Sequence, residues 1–179
     1  MQPSWPPLES EPFTIEARSA DETRRLAVAL SPVLVPGDLI VLAGDLGSGK
    51  TTFVQGIAAG LGITEQVTSP TFILMKEYSG GRYPFMHLDI YRLGRYQELI
   101  DLGYDEFLDP SYVLAVEWGD MIEPMLPQEH LRVSFAYSDN DDDSTRRISL
   151  SSKGSRWVER IAQVKDLAME LFPLSEGSD

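Results

Sequence analysis

The sequence has no cysteine, and this absence excludes disulfide bonds, thiolate metal sites and cysteine nucleophiles. It also has no apolar run approaching the roughly 18 residues that a membrane-spanning helix needs. Positive charge is scarce, because 15 basic residues face 28 acidic ones and the net charge is −13. Such a surface repels a nucleic acid backbone, so any RNA would have to be held by a partner protein. We therefore expect a cytoplasmic protein without a membrane partner.

Length and composition predict one domain. The 179 residues, 42% of them apolar, are enough to build one core in a three-layer arrangement. Residues 1–11 carry three prolines but neither a positive start nor an apolar stretch, which predicts a disordered extension rather than a signal or transit peptide. The predicted domain covers 12–173, and 174–179 are expected to form a flexible tail.

Residues 44–51 match the phosphate-binding pattern G-x-x-x-x-G-K-[ST]. In this pattern backbone N–H groups surround phosphate oxygens, Lys50 reaches the β/γ-phosphates and the Thr51 hydroxyl coordinates magnesium. An apolar strand over 39–43 precedes the pattern and a helix over 52–59 follows it, as the mechanism requires. The residues predicted to bind the nucleotide here are Gly44, Asp45, Leu46, Gly47, Ser48, Gly49, Lys50, Thr51 and Thr52.

The remaining pattern alternates between strands and helices. The predicted strands are 13–15, 39–43, 67–78, 83–89, 112–116, 131–137 and 146–150. Beyond the helix after the phosphate loop, the predicted helices are one that begins at a capping box over 19–22, one or two short ones within 97–108, and one over 157–171. This order predicts an α/β, three-layer P-loop NTPase-like fold, with a mostly parallel central sheet and antiparallel hairpins.

Two predicted strands end in a carboxylate that is suited to complete a phosphate site. Glu117 follows four apolar residues, as expected where a central strand emerges at a ligand crevice. The strand before Asp89 is less apolar, so on these residues alone Asp89 lies either in the site or at a solvated edge. His87 shares a strand face with Asp89 and is interpreted either as a packing residue, the more common role of an isolated histidine, or as one that helps to position a carboxylate or proton.

Four motifs in a fixed order carry a family resemblance. They are the phosphate loop continued by Thr52-Phe53, then Ser69-Pro70-Thr71-Phe72, His87-Leu88-Asp89-Ile90-Tyr91-Arg92-Leu93 and Glu117-Trp118. In order and spacing they resemble the bacterial TsaE (YjeE) family. Members of this family are small P-loop ATPases that work with TsaB and TsaD to make threonylcarbamoyladenosine in tRNA, next to the anticodon. The resemblance implies an ATPase that is slow alone, depends on TsaB and TsaD, and meets tRNA only through these partners.

The resemblance also implies roles for particular residues. It implies that Thr51, Glu117 and Asp89 hold Mg²⁺ and that Asp89 belongs to the catalytic site. In the predicted mechanism Lys50 stabilises charge on the phosphates of ATP, and Glu117 or Asp89 orients the attacking water.

Two further segments are implicated with less specific chemistry. Ser69 and Thr71 flank a proline, which suits either a plain turn or a switch segment, and the resemblance favours the switch. It also implies nucleotide contacts from Thr23 in the first helix and Arg147 in the late hairpin. The acidic run over 139–143 is interpreted as a solvated hairpin turn, because the glycine and distal glutamate of a calcium loop are missing.

Three other classes of function compete with an ATPase. A small-molecule kinase would need an acceptor pocket and usually an arginine-bearing lid, and no long insertion offers one. A GTPase would need an Asn-Lys-x-Asp segment, which the sequence lacks. A binding module whose nucleotide only switches its shape and a small-molecule kinase stay open as the alternatives.

Overall fold

The computed structural model describes residues 11–69, 75–91, 100–101, 103, 108–138 and 144–172. In this part of the chain one sheet contains β1 (Phe13–Ala17), β2 (Leu39–Ala43), β3 (Met75–Tyr78), β4 (Phe85–Asp89), β5 (Val113–Glu117), β6 (His130–Tyr137) and β7 (Arg146–Lys153). The α-helices are α1 (Ala20–Leu30), α2 (Lys50–Gly60) and α3 (Val158–Leu171). Short 3-10 helices cover Ser31–Val33, Gly119–Met121 and Glu123–Met125.

The strand order across the sheet is β1-β7-β6-β2-β5-β4-β3. The four central strands β6, β2, β5 and β4 are parallel, whereas β3, β7 and β1 add antiparallel pairs at the two edges. The predicted α/β fold is confirmed, with the parallel strands in the centre and the hairpins outside. Because β2, β4 and β5 are parallel, their carboxyl ends meet at one edge of the sheet.

Apolar side chains cover both faces of the sheet. On one face, Ile40, Leu42 and Ala115 pack with buried residues of the three α-helices, among them Phe53, and with Trp157 directly before α3. On the other face a second cluster contains Leu39, Val41, Met86, Leu88, Leu114 and Val116, with residues of the 118–126 segment packed against it. This two-sided burial explains why β2 and β5 are continuous apolar runs rather than alternating ones.

The capping box predicted at 19–22 starts α1. The Ser19 hydroxyl accepts a hydrogen bond from the Glu22 N–H at 3.1 Å. The Glu22 carboxylate accepts in return from the Arg18 N–H at 2.7 Å, one residue before the cap. Both bonds satisfy N–H groups that have no partner within a helix, so they fix where α1 begins.

The predicted strand over 67–78 is too long. Residues 67–69 are not in a strand, because the Gln55 side chain on α2 donates to the Val67 carbonyl at 3.0 Å and so takes the acceptor that a sheet partner would use. The strand is seen from Met75, and residues 70–74 lie outside the described residues. Most of the predicted 97–108 helices and the acidic run 139–143 also lie outside them. Among the described residues, no helix is long and apolar enough to cross a membrane.

Candidate nucleotide-binding site

The loop between β2 and α2 has the backbone that its glycines predict. Gly47 and Gly49 have φ angles of 74° and 106°, in the left-handed region where a side chain is strained. A Cβ on Gly44 would lie 2.8 Å from both the Phe135 carbonyl oxygen and the Ser48 Oγ. The loop therefore turns sharply and lies tightly against β6, and α2 begins directly after it at Lys50. Its first N–H groups are those that a helix leaves unpaired, and they favour an anion.

The Lys50 amine is held by its own loop. Its Nζ donates to the carbonyl oxygens of Gly44 at 2.6 Å and Asp45 at 2.8 Å, and it lies 3.8 Å from the centre of the Trp118 ring. Burial lowers the pKa of Lys50, while the carboxylates of Glu117 and neighbouring acids act in the opposite direction. To reach a phosphate, the amine has to exchange two carbonyl partners for phosphate oxygens.

Glu117 and Thr51 meet directly. The Thr51 hydroxyl, at the start of α2, donates to Glu117 Oε1 at 2.8 Å and lies 3.1 Å from Oε2. Glu117 is the last residue of β5 and is buried. The sequence placed these two groups in one site because the ends of adjacent parallel strands share an edge, and the structure brings them into contact.

Asp89 lies on the neighbouring strand, opposite Glu117 in the register of β4 and β5. Its Oδ2 accepts from the Ser69 hydroxyl at 2.8 Å, and its Oδ1 accepts from the Tyr91 N–H at 3.0 Å. Ser69, the predicted switch residue, is therefore in contact with the predicted catalytic carboxylate. Thr71, the other predicted switch residue, lies outside the described residues.

His87 is fully buried, as a packing residue would be, but packing alone does not describe its surroundings. Its Nε2 lies 2.7 Å from Glu117 Oε1. The buried side chain therefore contacts the carboxylate site, in agreement with the second of the two roles that the sequence left open. Its alternation with Asp89 was visible in the sequence, but the sequence did not show which strand lies beside β4.

The hairpin of β6 and β7 approaches the loop through Tyr137 and Arg146. Arg146 lies with its guanidinium 4.2 Å from the centre of the Tyr137 ring, and the Tyr137 hydroxyl donates to the Leu46 carbonyl at 3.3 Å. Arg147 is next in the strand and faces the opposite side of the sheet, so the described contacts place Arg146 rather than Arg147 near the loop. Neither Tyr137 nor Arg146 was singled out in the sequence, and the predicted nucleotide contact of Arg147 stays a prediction.

Thr23 lies beside the loop but is occupied within its own helix. It is buried, and its hydroxyl donates to the Ser19 carbonyl at 3.3 Å. A Cβ on Gly49 would lie 3.8 Å from the Thr23 methyl group. Thr23 therefore supports the phosphate loop from the side of α1, and its predicted nucleotide contact stays a prediction.

The side chains at this edge provide oxygen donors suited to magnesium. They are the Thr51 hydroxyl and the carboxylates of Glu117 and Asp89. The described part of the chain contains no group of three or more His, Cys, Asp or Glu side chains that would hold a metal by itself. Mg²⁺ is commonly held by one or two carboxylates together with water and substrate phosphates, so this donor set fits that ion.

A mixed sheet with a phosphate loop between β2 and α2, and with two carboxylates at the adjoining strand ends, defines a protein of the P-loop NTPase-like class. The family model described as "Threonylcarbamoyl adenosine biosynthesis protein TsaE" matches residues 17–148. The chain belongs to the TsaE family, and the resemblance inferred from the four motifs is confirmed.

Individual relatives agree with this assignment. The tRNA threonylcarbamoyladenosine biosynthesis protein TsaE of Bacillus subtilis is 43% identical over 137 residues, covering 76% of this chain and 84% of the relative. The protein of the same name from Streptomyces coelicolor is 38% identical, covering 75% of this chain and 93% of its own. The crystal structure of Bacillus subtilis YdiB superimposes with a TM-score of 0.74 at 35% identity, covering 87% of this chain and 95% of YdiB.

Proposed function

We propose that this chain binds and hydrolyses ATP with Mg²⁺ in the cytoplasm, and that it does so as the accessory ATPase of a TsaB–TsaD complex. In this role it supports threonylcarbamoylation of the tRNA adenosine next to the anticodon. The observation that carries the ATPase is the contact between Thr51 and Glu117, with Asp89 opposite Glu117 on the next strand. Family membership supports the pathway.

The proposed chemistry divides between the loop and the two carboxylates. The loop N–H groups and the Lys50 amine hold the β/γ-phosphates and stabilise the charge that develops on them during phosphoryl transfer. Glu117 or Asp89 orients the attacking water against the γ-phosphate. Bound Mg²⁺ supplies positive charge to the phosphate oxygens, and Thr51 and Glu117, together with Asp89, would hold it.

Charge supports a protein rather than an RNA as the direct partner. The net charge of −13 opposes contact with a phosphate backbone. We therefore propose that tRNA is held by TsaB and TsaD, and that ATP turnover here resets their complex.

The test is ATP turnover with Mg²⁺, measured for this chain alone and with purified TsaB and TsaD. We expect the partners to stimulate turnover and Lys50→Ala to lower it by about 100-fold or more. Lys165→Ala is the matched control, because it removes an exposed lysine from α3. Turnover that Lys50→Ala leaves unchanged would contradict the proposal, and turnover independent of the partners would favour a kinase.

Glu117→Ala separates the ATPase from the nucleotide-gated binding module. We expect this variant to keep nucleotide binding through the loop and to lose multiple turnover in the assembly, while Glu159→Ala, which removes an exposed glutamate from α3, behaves as the unmodified chain. Full activity of the assembly with Glu117→Ala would instead support the binding module.

A further inference from the structure

The hydrogen bond between His87 and Glu117 has a chemical direction. A carboxylate oxygen only accepts, so a bond of 2.7 Å to Glu117 Oε1 requires the proton on His87 Nε2. The other ring nitrogen, Nδ1, is buried and has no hydrogen-bond partner among the described residues. A proton on Nδ1 would be a buried, unsatisfied N–H, which is costly. The geometry therefore assigns the donor role to Nε2.

We propose that His87 is a positioning residue, which holds the Glu117 carboxylate in the orientation needed for the magnesium site. The inference rests on the proposed Mg²⁺-dependent ATPase and deepens it. His87 acts through Glu117 and does not touch the nucleotide or the metal.

The register of β4 and β5 places the His87 ring beside Glu117. In the β4–β5 register Ala115 lies opposite His87, and Glu117 lies opposite Asp89. Alternation puts these four side chains on the face of the sheet that α2 covers. Because Ala115 presents only a methyl group, the imidazole has room to lie along β5 towards the carboxylate two residues away.

Two donors from different elements hold Glu117. Thr51 donates to it from α2, and His87 donates to Oε1 from β4. A hydroxyl that ligates a metal ion through a lone pair keeps its proton, so Thr51 would hold Glu117 and the metal together, whereas His87 would hold only the carboxylate. Groups that hydrogen-bond a metal ligand in this way orient it, and their loss commonly costs 10-fold to 100-fold in metal affinity or activity.

Three variants distinguish positioning from packing. In His87→Gln the side-chain amide nitrogen stands near the place of Nε2 and can still donate to Glu117. In His87→Asn the amide is shorter and stands near the place of Nδ1, so the donor is lost although the residue stays polar. His87→Leu fills the space without any donor. The Gln and Asn variants form the matched pair, because they differ in reach and not in chemistry.

The first measurement is calorimetric binding of a non-hydrolysable ATP analogue with and without Mg²⁺. We expect metal-free affinity to be within about 2-fold of the unmodified chain in all variants, since the loop and Lys50 are untouched. The Mg²⁺ concentration for half-maximal effect should rise about 10-fold or more in His87→Asn and His87→Leu, and His87→Gln should restore it. Turnover should follow, with kcat lowered and KM little changed. Thermal unfolding reports whether each variant is folded.

The second measurement needs no metal, nucleotide or variant of His87. The chain has two histidines, so ¹⁵N labelling of histidine gives two ring systems for NMR. His130 serves as the reference, because its Nδ1 lies 2.6 Å from the Pro127 carbonyl oxygen, and His130→Gln assigns its signals. We expect a proton on Nε2 of His87. A His87 ring without a proton on Nε2 would overturn the inference.

The outcomes separate this inference from the proposed function. If the unmodified chain shows no effect of Mg²⁺ on nucleotide binding and no turnover with its partners, the proposed ATPase fails. If Mg²⁺ acts as expected and His87→Asn matches His87→Gln, only the positioning role is overturned.

Discussion

Gly56, in the middle of α2, is the position where the packing beneath the phosphate loop is best tested. A Cβ on Gly56 would lie 2.5 Å from the Arg24 carbonyl oxygen and 2.6 Å from the Ala27 Cβ, both on α1. Atoms this close must move apart, and the Arg24 atom belongs to a helix backbone that cannot turn aside. Gly56→Ala therefore has to push α1 away from α2.

The expected magnitude combines two opposed effects. Replacing a helix-interior glycine by alanine stabilises the helix itself by about 1 kcal/mol. Overpacking a closely fitted interior typically costs about 1 to 3 kcal/mol and occasionally more, and contacts of 2.5 and 2.6 Å place this site at the severe end. We expect a net loss of about 1 to 2 kcal/mol in the free energy of unfolding, which lowers Tm by roughly 2 to 8 °C in a domain of this size.

Urea and thermal unfolding measure this loss of stability, and nucleotide affinity shows whether the change in packing also affects the phosphate loop. Because Lys50 starts the same helix, displacement of α2 should also weaken nucleotide binding. Gly62→Ala is a useful control, since Gly62 has a φ of 83° and no atom within 4 Å of an added Cβ, so it reports backbone strain without crowding.

A second substitution sharpens the test. Ala27→Gly removes the Cβ at 2.6 Å but leaves the Arg24 carbonyl at 2.5 Å. Ala27→Gly should therefore lower the free energy of unfolding less in the Gly56→Ala variant than in the unmodified chain. The double-mutant cycle should show that it partly restores the stability lost in Gly56→Ala. A Tm for Gly56→Ala at or above that of the unmodified chain would refute the close contact of the two helices.

Three further changes test other contacts by chemical denaturation. Ser19→Ala removes the N-cap acceptor of α1 and should cost about 1 kcal/mol. The Arg160 guanidinium lies 2.8 Å from the buried Asp38 carboxylate. Asp38→Ala removes this partner and should lower the free energy of unfolding by about 3 kcal/mol, and no loss would contradict the pairing. Burial raises the pKa of Glu123, but the hydrogen bond from His130 and nearby cations outweigh it and lower the pKa below 4.5. The contribution of this carboxylate to stability is thus fully present above about pH 4.5 and is lost as the pH falls through the lower pKa of the folded state. The loss in the free energy of unfolding caused by Glu123→Gln should therefore shrink on acidification. A loss that does not depend on pH would contradict this.

Local pattern was sufficient for much of the fold. Leu39–Ala43 and residues 113–116 are continuous apolar runs because each is covered on both faces, and the run can be read from the segment itself. The end of a strand is less well determined by its own residues. Val67 has the side chain of a strand residue, yet its carbonyl bonds to Gln55 on α2, a partner that becomes visible only when α2 is placed.

In the candidate site, too, some features follow from the local sequence pattern and others only from the assembled fold. A rule about parallel strands explains why Asp89 and Glu117 meet, because it brings their carboxyl ends to one edge whatever their order. The local pattern predicted Glu117, whereas for Asp89 it left a solvated edge open and the family resemblance favoured the site. The role of His87 depended on more, namely that β5 lies beside β4 and that its register puts Ala115 opposite the ring. A larger residue opposite would have occupied the space that the ring needs, and the hydrogen bond to Glu117 would not follow from the same sequence motif.

The choice between Arg146 and Arg147 shows how finely such inferences depend on register. Adjacent residues in a strand face opposite sides, so a shift by one position exchanges the side chain beside the loop for one across the sheet. Arg146 on β7 lies opposite Tyr137 on β6, and its guanidinium stacks on the Tyr137 ring. The Tyr137 hydroxyl donates to the Leu46 carbonyl of the loop. A hairpin predicted with correct strands but without its register cannot distinguish the two arginines. Side-chain roles in the β6–β7 hairpin therefore follow from the cross-strand partner rather than from the position along the chain.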